Sequence, residues 1–174
     1  MLSGIHTIKG GQMAPRIEPY DTQHLETVIR LSLRAWAPVF ASLQRVMAPE
    51  VYGHLVPDWR VSQRQAVAEV CAAADMQVWV ATDAGAPVGF VAVKLHADSE
   101  AKLGEIYMLA VDPDFQGRGI GTALLTVALT WMRNAGMAVA MVETGGDPGH
   151  APARRTYEKL GFGVVPIARY YKKL

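Results

Sequence analysis

The segment DPDFQGRGIGTALL, residues 112–125, contains three glycines within five consecutive residues. Gly117, Gly119 and Gly121 stand just before an apolar run that has the spacing of a buried helix. Backbone without side chains can approach a ligand closely, and the first turn of a helix carries roughly half a positive charge. The segment is therefore suited to binding an anion such as a pyrophosphate, although a plain glycine-rich turn would have the same composition.

Two familiar phosphate-binding motifs do not fit this segment. A P-loop needs a Lys followed by Ser or Thr after its second glycine, and the segment has no such pair. The dinucleotide motif G-x-G-x-x-G would need glycine where Thr122 stands, and it opens a first βαβ unit, whereas this segment comes late in the chain. The pattern that remains is Q-x-x-G-x-G, formed by Gln116, Gly119 and Gly121 at the start of an apolar helix.

The residue types that bind metals or form disulfides are scattered. The five histidines are His6, His24, His54, His96 and His150. None has a second His, Cys or carboxylate at a metal-ligand spacing, so we expect no metal site. The single cysteine, Cys71, lies in an Ala-rich helical segment, which excludes an internal disulfide and predicts a packing role.

Composition restricts the class of protein. With 174 residues, of which 51% are apolar, the chain can form one domain with a real core, and we expect it to span residues 13–174. A net charge of +1 does not indicate the strongly basic surface with which proteins bind nucleic acid or an anionic membrane. No apolar run reaches the roughly 18–20 residues that span a bilayer, and no signal peptide is evident, so we expect a cytoplasmic protein. Residues 1–12 have the composition of a disordered leader.

The first part of the chain predicts one strand followed by helices. Residues 16–20 (RIEPY) form a short strand candidate, and Asp21 or Thr22 could cap the helix that follows. The apolar residues of that helix that repeat at helical spacing are Leu25, Val28, Ile29 and Leu33. Pro38 is expected to interrupt this helix or to begin the next one. Further helical segments are predicted at residues 39–56 and 61–74.

The second part alternates between strand and helix patterns. Strands that resemble an antiparallel meander are predicted at residues 77–82, 88–95 and 104–111. A heavily buried helix is predicted at residues 119–135, with Gly136 after its end. Further elements are a strand at 137–144, a helix at 152–160 with Pro152 near its start and Gly161 as its stop, and a last strand in FGVVPIARYY, residues 162–171. The order β-αα-βββ-α-β-α-β predicts an α/β (α+β mixed) fold, with a mixed sheet and helices on both faces.

Two segments in this order resemble the GCN5-related N-acetyltransferase (GNAT) superfamily. GEIYMLAVDPDFQGRGIGTALL, residues 104–125, matches its acetyl-coenzyme A motif, and APARRTYEKLGF, residues 151–162, matches its late A-x-x-x-Y-E-x-x-G-F motif. The resemblance covers about residues 77–171, and the early helices fit the variable acceptor region of the family. It implies the GNAT fold with a mostly antiparallel sheet, acetyl-coenzyme A as acetyl donor, no metal, and transfer to a primary amine of a small molecule or peptide by direct attack in a ternary complex.

The resemblance also implies where the donor would bind. In this family the strand that carries LAV separates from its neighbour, and the pantetheine arm fills the gap. Main-chain groups of Leu109 and Val111 would pair with the arm, and an N–H near Leu109 or Ala110 would hold the thioester carbonyl as an oxyanion hole. The residues assigned to the pyrophosphate turn are Gln116, Gly117, Arg118, Gly119, Ile120, Gly121 and Thr122. The alternative is that Leu109 and Val111 are ordinary core residues of the strand.

The family's catalytic roles carry over to three residues. Tyr157 matches the tyrosine that can protonate the departing coenzyme A thiolate, but it could also simply pack with Ala153 and Leu160. A general base is taken from different places in different members. Glu105 and Glu143 both match such places, although Glu143 does so only if the loop after it has two extra residues, and either could instead be a solvated carboxylate.

One position departs from the family pattern. Seven residues before the tyrosine, where many members have an asparagine that binds the pantetheine, this chain has His150. An imidazole can donate a hydrogen bond there or act as an acid or base, and a plain loop histidine is an equal alternative.

The acceptor cannot be identified from the sequence. Aromatic candidates for the wall of its site are Trp36, Phe40, Tyr52 and Trp59, all of which core packing would also explain. The basic residues near the C-terminal end are Arg154, Arg155, Lys159, Arg169, Lys172 and Lys173, which would mostly form a solvated face, with one or two reaching the 3′-phosphate of the coenzyme. We expect acetyl-coenzyme A and an amine as partners, and neither nucleic acid nor a membrane. The sequence is compatible with a homodimer as well as with a monomer. The rival hypothesis is a non-catalytic acyl-coenzyme A-binding sensor on the same fold.

Overall fold

The computed structural model describes residues 15–96 and 98–174, and the predicted leader at residues 1–12 lies outside them. The strands are β1 (Arg16–Pro19), β2 (Met76–Asp83), β3 (Ala86–His96), β4 (Leu103–Val111) and β5 (Val139–Val142). The helices are α1 (Leu25–Val46), α2 (Pro49–Leu55), α3 (Trp59–Ala72), α4 (Ile120–Asn134) and α5 (Ala151–Lys159). Three short 3₁₀ turns lie at Thr22–His24, Pro113–Phe115 and Pro148–His150.

The strands form one mixed sheet in the order β1-β2-β3-β4-β5. The first four strands are antiparallel, so the predicted meander of β2, β3 and β4 is confirmed. β5 joins β4 in parallel, because α4 carries the chain back across the sheet before β5 begins. The predicted fold class is therefore confirmed.

Each face of the sheet is covered by its own helices. Val78, Val80 and Phe90 pack with α1 and α3 on one face. Trp79, Val91 and Ile106 pack with α4 and α5 on the other face. Because neighbouring residues of a strand point to opposite faces, the apolar runs of β2 and β3 supply both cores at once.

Pro38 does not end the first helix, so that prediction was wrong. α1 runs through Pro38 to Val46, although a proline in that position cannot donate an N–H to the carbonyl of Arg34. Pro38 itself is exposed, while Val28, Ile29 and Leu31 are buried before it and Ser42 is buried after it. Packing on both sides of the proline therefore keeps the helix continuous, and the segment predicted at 39–56 is divided between α1 and α2.

The predicted last strand at residues 162–171 is also wrong. This segment forms no strand in the structure, and most of its apolar side chains are exposed, with Val164 and Val165 each at 77%. A strand needs a partner ladder, and β5 offers only four residues. Pro166 lacks the N–H that a ladder would require in the middle of the segment.

A β-bulge in β4 lies where its pairing changes. Ala92 in β3 pairs with Met108, but the next residue, Val93, pairs with Ile106, so Tyr107 is left over on β4. Pairing with β5 reaches only to Ile106, opposite Val142. The bulge and the end of the β4–β5 ladder therefore fall at the same place, and a bulge turns the strand locally.

Gly89 in β3 provides a test of packing against α4. A Cβ at Gly89 would lie 3.0 Å from the Ala110 carbonyl oxygen and 3.2 Å from a Leu124 methyl. We expect Gly89→Ala to lower the free energy of unfolding by about 1–3 kcal/mol, because the added methyl overpacks this contact. Urea unfolding followed by circular dichroism measures the change.

The matched control is Gly53→Ala in α2, where an added Cβ would have nothing within 4 Å. This variant should gain about 0.5–1 kcal/mol from helix propensity. Equal stability of the two variants would contradict the tight approach of β3 and α4.

Candidate functional site

The end of β4 has backbone that β5 does not cover. From Tyr107 to Val111 the strand pairs with β3 on one side, while its ladder with β5 has already ended at Ile106. The other edge of these residues is open, in the sense that no strand among the described residues pairs with it. An open strand edge can pair with any extended chain that carries amide groups.

The glycine turn follows this open edge and ends at the first turn of α4. Gly117 and Gly119 have φ angles of +75° and +80°, a region that disfavours residues with a Cβ. No side chain caps the first turn of α4, so its N–H groups have no side-chain partner among the described residues. Gly121 differs from the other two, because a Cβ there would meet only ordinary contacts at 3.8 Å and 4.0 Å.

Two of the predicted cofactor residues turn back onto this loop. The Gln116 side-chain amide donates to the Val111 carbonyl oxygen at 3.0 Å. The Arg118 guanidinium donates to the Asp114 carbonyl oxygen at 2.9 Å and lies 4.9 Å from the centre of the Phe115 ring. Both side chains therefore hold the shape of the turn and leave its backbone N–H groups exposed.

Arg34 in α1 anchors the same turn and was missed by the sequence reasoning. It donates to both Asp112 carboxylate oxygens at 2.7 Å and 2.8 Å, and to Asp114 at 2.9 Å. The hydrogen bond to Asp114 and the charges of both carboxylates raise the pKa of Arg34 above its ordinary value. One arginine thus offsets two negative charges beside a turn suited to anions, and its 78-residue separation from Asp112 hides this pairing from sequence patterns.

A large cavity lies on the β5 side of the molecule. Its volume is about 1440 Å³, and it is lined by the C-terminal end of α1, α2, β5, one side of α5 and the C-terminal segment 162–171. Glu143, His150 and Tyr157 all contribute to its wall, so the structure brings these three predicted site residues together. Glu105 and the glycine turn are not part of this wall.

Tyr157 connects the cavity with the region of the glycine turn. It is buried at 9% exposure and meets Phe162 edge to face, with 5.9 Å between the ring centres. Its neighbour Thr156 lies beside Gly121, at 4.0 Å from the position of a Cβ there, so α5 packs next to the first turn of α4. Burial raises the pKa of Tyr157 to about 12, so the phenol keeps its proton at neutral pH.

The two candidate carboxylates have different surroundings. Glu105 accepts a hydrogen bond from His96 Nε2 at 2.8 Å, on the part of β4 that is still paired with β5. Glu143 follows β5 and forms an ion pair with Arg169 at 2.8 Å, with its side chain 60% exposed. Of these two carboxylates, only Glu143 therefore lines the cavity with Tyr157.

His150 is held by the loop between β5 and α5. Its Nδ1 is hydrogen-bonded to Asp147, whose carboxylate also accepts from the Gly149 N–H at 2.9 Å. Arg154 donates to the carbonyl oxygens of Gly145 and Asp147, so this basic residue is not part of a solvated face. The described residues contain no cluster of His, Cys, Asp and Glu that could hold a metal ion.

The aromatic residues considered for the acceptor site pack with one another. Phe40 stacks on Trp59 with 4.5 Å between ring centres, and the Tyr52 hydroxyl donates to the Phe40 carbonyl oxygen at 3.3 Å. Trp36 meets Phe90 of the core edge to face. The four side chains thus have structural roles, as core packing predicts for them, and none of them lines the large cavity.

Cys71 also fits a packing role. It belongs to the layer of residues around the α1–α3 core, and burial raises the pKa of its thiol to about 11. A thiol with a raised pKa is a poor nucleophile at neutral pH. Within the described residues, no helix is both long enough and apolar enough to cross a membrane.

The family model described as the Acetyltransferase (GNAT) family matches residues 48–162, about two thirds of the chain. The chain belongs to the GNAT family. This match extends over the open end of β4, the glycine turn and Tyr157. The family assignment from the two sequence motifs is therefore confirmed.

Similar proteins include mycothiol acetyltransferases. The one from Nocardia farcinica is 39% identical over 93 residues, which are 52% of this chain and 30% of that protein. The one from Saccharomonospora viridis is 33% identical over 121 residues, which are 62% of this chain and 39% of that protein. The chain thus matches well under half the length of these relatives.

Among solved structures, the fold is similar to that of the aminoglycoside N-acetyltransferase AAC(6')-Iy in complex with the bisubstrate analogue CoA-S-monomethyl-acetylneamine. The TM-score is 0.64 at 20% identity, covering 92% of this chain and 98% of the other. At this identity the likeness shows the fold. A chain described as a transcriptional regulator from Bacillus halodurans has a similar TM-score of 0.63, so the fold by itself does not determine an activity.

Arg34 provides the test of the glycine turn, with coenzyme A as the probe. In Arg34→Gln, Asp112 and Asp114 lose their compensating charge beside the turn. We expect coenzyme A to bind about tenfold more weakly, with a larger loss at low ionic strength, because the two carboxylates then repel its phosphates. Calorimetric titration at two salt concentrations measures the effect.

The control is Arg30→Gln, one helical turn earlier in α1, where the guanidinium donates only to the Thr27 hydroxyl at 3.3 Å. Its affinity for coenzyme A should equal that of the unaltered protein. If both variants bind alike, Arg34 does not maintain the anion site.

Proposed function

We propose that this protein is an acetyl-coenzyme A-dependent N-acetyltransferase that acts on a primary amine of a small molecule or peptide. One observation carries the proposal. The backbone edge of β4 that is left open after Ile106 leads directly to the uncapped first turn of α4. The first feature suits a chain with amide groups and the second suits a pyrophosphate, which are the two parts of coenzyme A in that order.

Residues of this chain would hold the donor along β4. Main-chain groups of Leu109 and Val111 would pair with the pantetheine amides, and an N–H near Ala110 would donate to the thioester oxygen as its negative charge grows. N–H groups from Gly117 to Thr122 would bind the pyrophosphate. The Val111 carbonyl already accepts from Gln116, so its second lone pair would be the one available to a ligand.

The reaction follows from these positions. The neutral amine of the acceptor attacks the thioester carbon, the C–N bond forms, and the C–S bond breaks with its electron pair left on sulfur. Tyr157 would donate a hydrogen bond to this sulfur. A thiol titrates near 8.5 and the pKa of Tyr157 is raised to about 12, so the phenol stabilises the thiolate by hydrogen bonding while it retains most of its own proton.

The acceptor has to lose a proton before it attacks, because an alkylammonium has no free lone pair. Among the three residues predicted to be catalytic, Glu143 lines the cavity with Tyr157, and Glu105 is hydrogen-bonded to His96 outside its wall. The groups that we consider for taking the proton are therefore Glu143 and His150, which both line the cavity. The apolar side chains of its wall favour an acceptor with an apolar portion.

A thiol-release assay tests the function. Acetyl-coenzyme A is offered with a panel of simple amines, amino acids, aminoglycosides and peptides with free N-termini. Release that depends on one class of amine supports the proposal and identifies the acceptor. Tight calorimetric binding of acetyl-coenzyme A without release on any amine would instead support the non-catalytic sensor.

Tyr157→Phe tests the role of the phenol. We expect kcat to fall by about 10²-fold with little change in KM, because the hydrogen bond to sulfur is made only as the C–S bond breaks. The same steady-state assay on the responsive amine gives both constants.

Tyr20→Phe is the matched control. Burial raises the pKa of Tyr20 to about 12 as well, but this tyrosine follows β1 and packs at the α1–α3 core. It should retain full kcat. Undiminished turnover by Tyr157→Phe would remove the phenol from the mechanism.

A further inference from the structure

A carboxylate and an imidazole lie side by side where β5 leads into α5. Asp147 caps the 3₁₀ turn Pro148–His150, and its carboxylate accepts from the Gly149 N–H and from His150 Nδ1. The side chains are largely buried, with 6% of Asp147 and 17% of His150 exposed. The ring is therefore held in one orientation.

Other parts of the chain support this pair. The Ser42 hydroxyl, buried in α1, accepts from the Gly149 N–H at 3.0 Å and hydrogen-bonds to Asp147. A Cβ at Gly145 would lie 2.5 Å from His150 Nδ1, and a Cβ at Gly149 would lie 2.7 Å from the Ser42 Cβ. The two glycines therefore leave the space that the pair occupies.

The protonation of the pair follows from its hydrogen bonds. Burial alone would raise the pKa of Asp147, but hydrogen bonds from Ser42 and His150 and the charge of His150 outweigh it and hold this pKa below its ordinary value. An ionised carboxylate only accepts hydrogen bonds, so His150 Nδ1 carries the proton. Whenever the ring is neutral, its free lone pair is therefore at Nε2, for which the described residues provide no hydrogen bond.

We propose that His150, oriented by Asp147, is the general base that takes the proton from the acceptor ammonium. The inference rests on the proposed function. His150 Nε2 accepts one proton from the ammonium, and the nitrogen lone pair so released forms the C–N bond. The second proton of that nitrogen passes to the departing sulfur, which gives the thiol, and His150 returns its proton to water.

The carboxylates are less suited to this role. Glu143 lies in the same cavity, but it is exposed and its charge is paired with Arg169. Glu105 lies outside the cavity wall and is hydrogen-bonded to His96. A buried carboxylate that accepts from Nδ1 fixes the orientation of an imidazole ring and leaves Nε2 as the nitrogen that can accept a proton.

The charged groups near His150 are of both signs. Asp147 contacts it directly, Glu143 and Glu158 line the same cavity, and Arg154 and Arg169 line it with positive charge. The Arg154 guanidinium is bound to loop carbonyls beside Asp147. Asp147 is the carboxylate in direct contact with the ring, so it offsets the positive charge of the two arginines there. Because Asp147 would act on the reaction through His150, it is a positioning residue.

Two variants of His150 separate a base from a residue that only binds coenzyme A. In His150→Asn the family's asparagine is restored, so we expect acetyl-coenzyme A to bind within about twofold of the unaltered protein while kcat falls by about 10²-fold. In His150→Ala we expect the same loss, and added imidazole should recover part of kcat. Calorimetry and the thiol-release assay measure the two quantities.

Asp147→Asn and His54→Gln complete the comparison. Asp147→Asn should lower kcat by about tenfold with an unchanged KM for acetyl-coenzyme A, because the ring keeps its place but loses the anionic partner. His54 is an exposed histidine of α2 outside the wall of the cavity, and its variant should behave as the unaltered protein. Thermal unfolding by circular dichroism checks that each variant is folded.

Full turnover by His150→Asn would overturn the base role and leave a binding role for His150. Loss of kcat in Glu143→Gln, together with no imidazole rescue of His150→Ala, would assign the base to Glu143 instead. If the unaltered protein acetylates no amine in the panel, the proposed function fails, and the base role fails with it. Failure of the inference alone is recognised by a fully active His150→Asn variant.

Discussion

The site depends on the end of one hydrogen-bond ladder. β4 is paired on both sides up to Ile106, and beyond the bulge at Tyr107 it is paired only with β3. Backbone N–H and C=O groups need partners wherever water is excluded, so an open strand edge inside a fold calls for a ligand or solvent. The turn that follows presents the N–H groups of α4 next to that edge, and the two features together form the extended surface that is proposed to bind the donor.

α1 connects the two halves of the candidate site. Arg34 holds the acidic turn before the glycines, and Ser42 holds the loop that carries Asp147 and His150. The two residues are eight positions apart, about 12 Å along a helix that continues through Pro38. If the helix ended at the proline, nothing would fix the distance between these anchors, so the continuity of α1 bears directly on the geometry of the site.

The loop after β5 is the part in which this chain departs most from its family's motif. Its glycines and prolines allow a tight path, and the carboxylate of Asp147 caps the turn and orients the imidazole at once. Where the family motif has an amide side chain, this chain thus has a titratable ring with a buried anionic partner. This loop thus supplies a set of hydrogen-bonded polar groups to the cavity wall.

The sequence by itself determined the family, the sheet, the helices that cover it and the glycine turn, because local periodicity, turn residues and two short motifs specify these features. Tertiary structure decided what depends on contacts between distant segments. It carried α1 through Pro38, since packing on both sides outweighs one lost hydrogen bond, and it left residues 162–171 without a strand, since β5 offers a short edge. It also paired Arg34 with Asp112 and Ser42 with Gly149, and it placed His150 in the wall of the cavity that Tyr157 lines, with Glu105 outside that wall. Spacing along a chain cannot show such pairings, because they depend on how helices and strands pack in space.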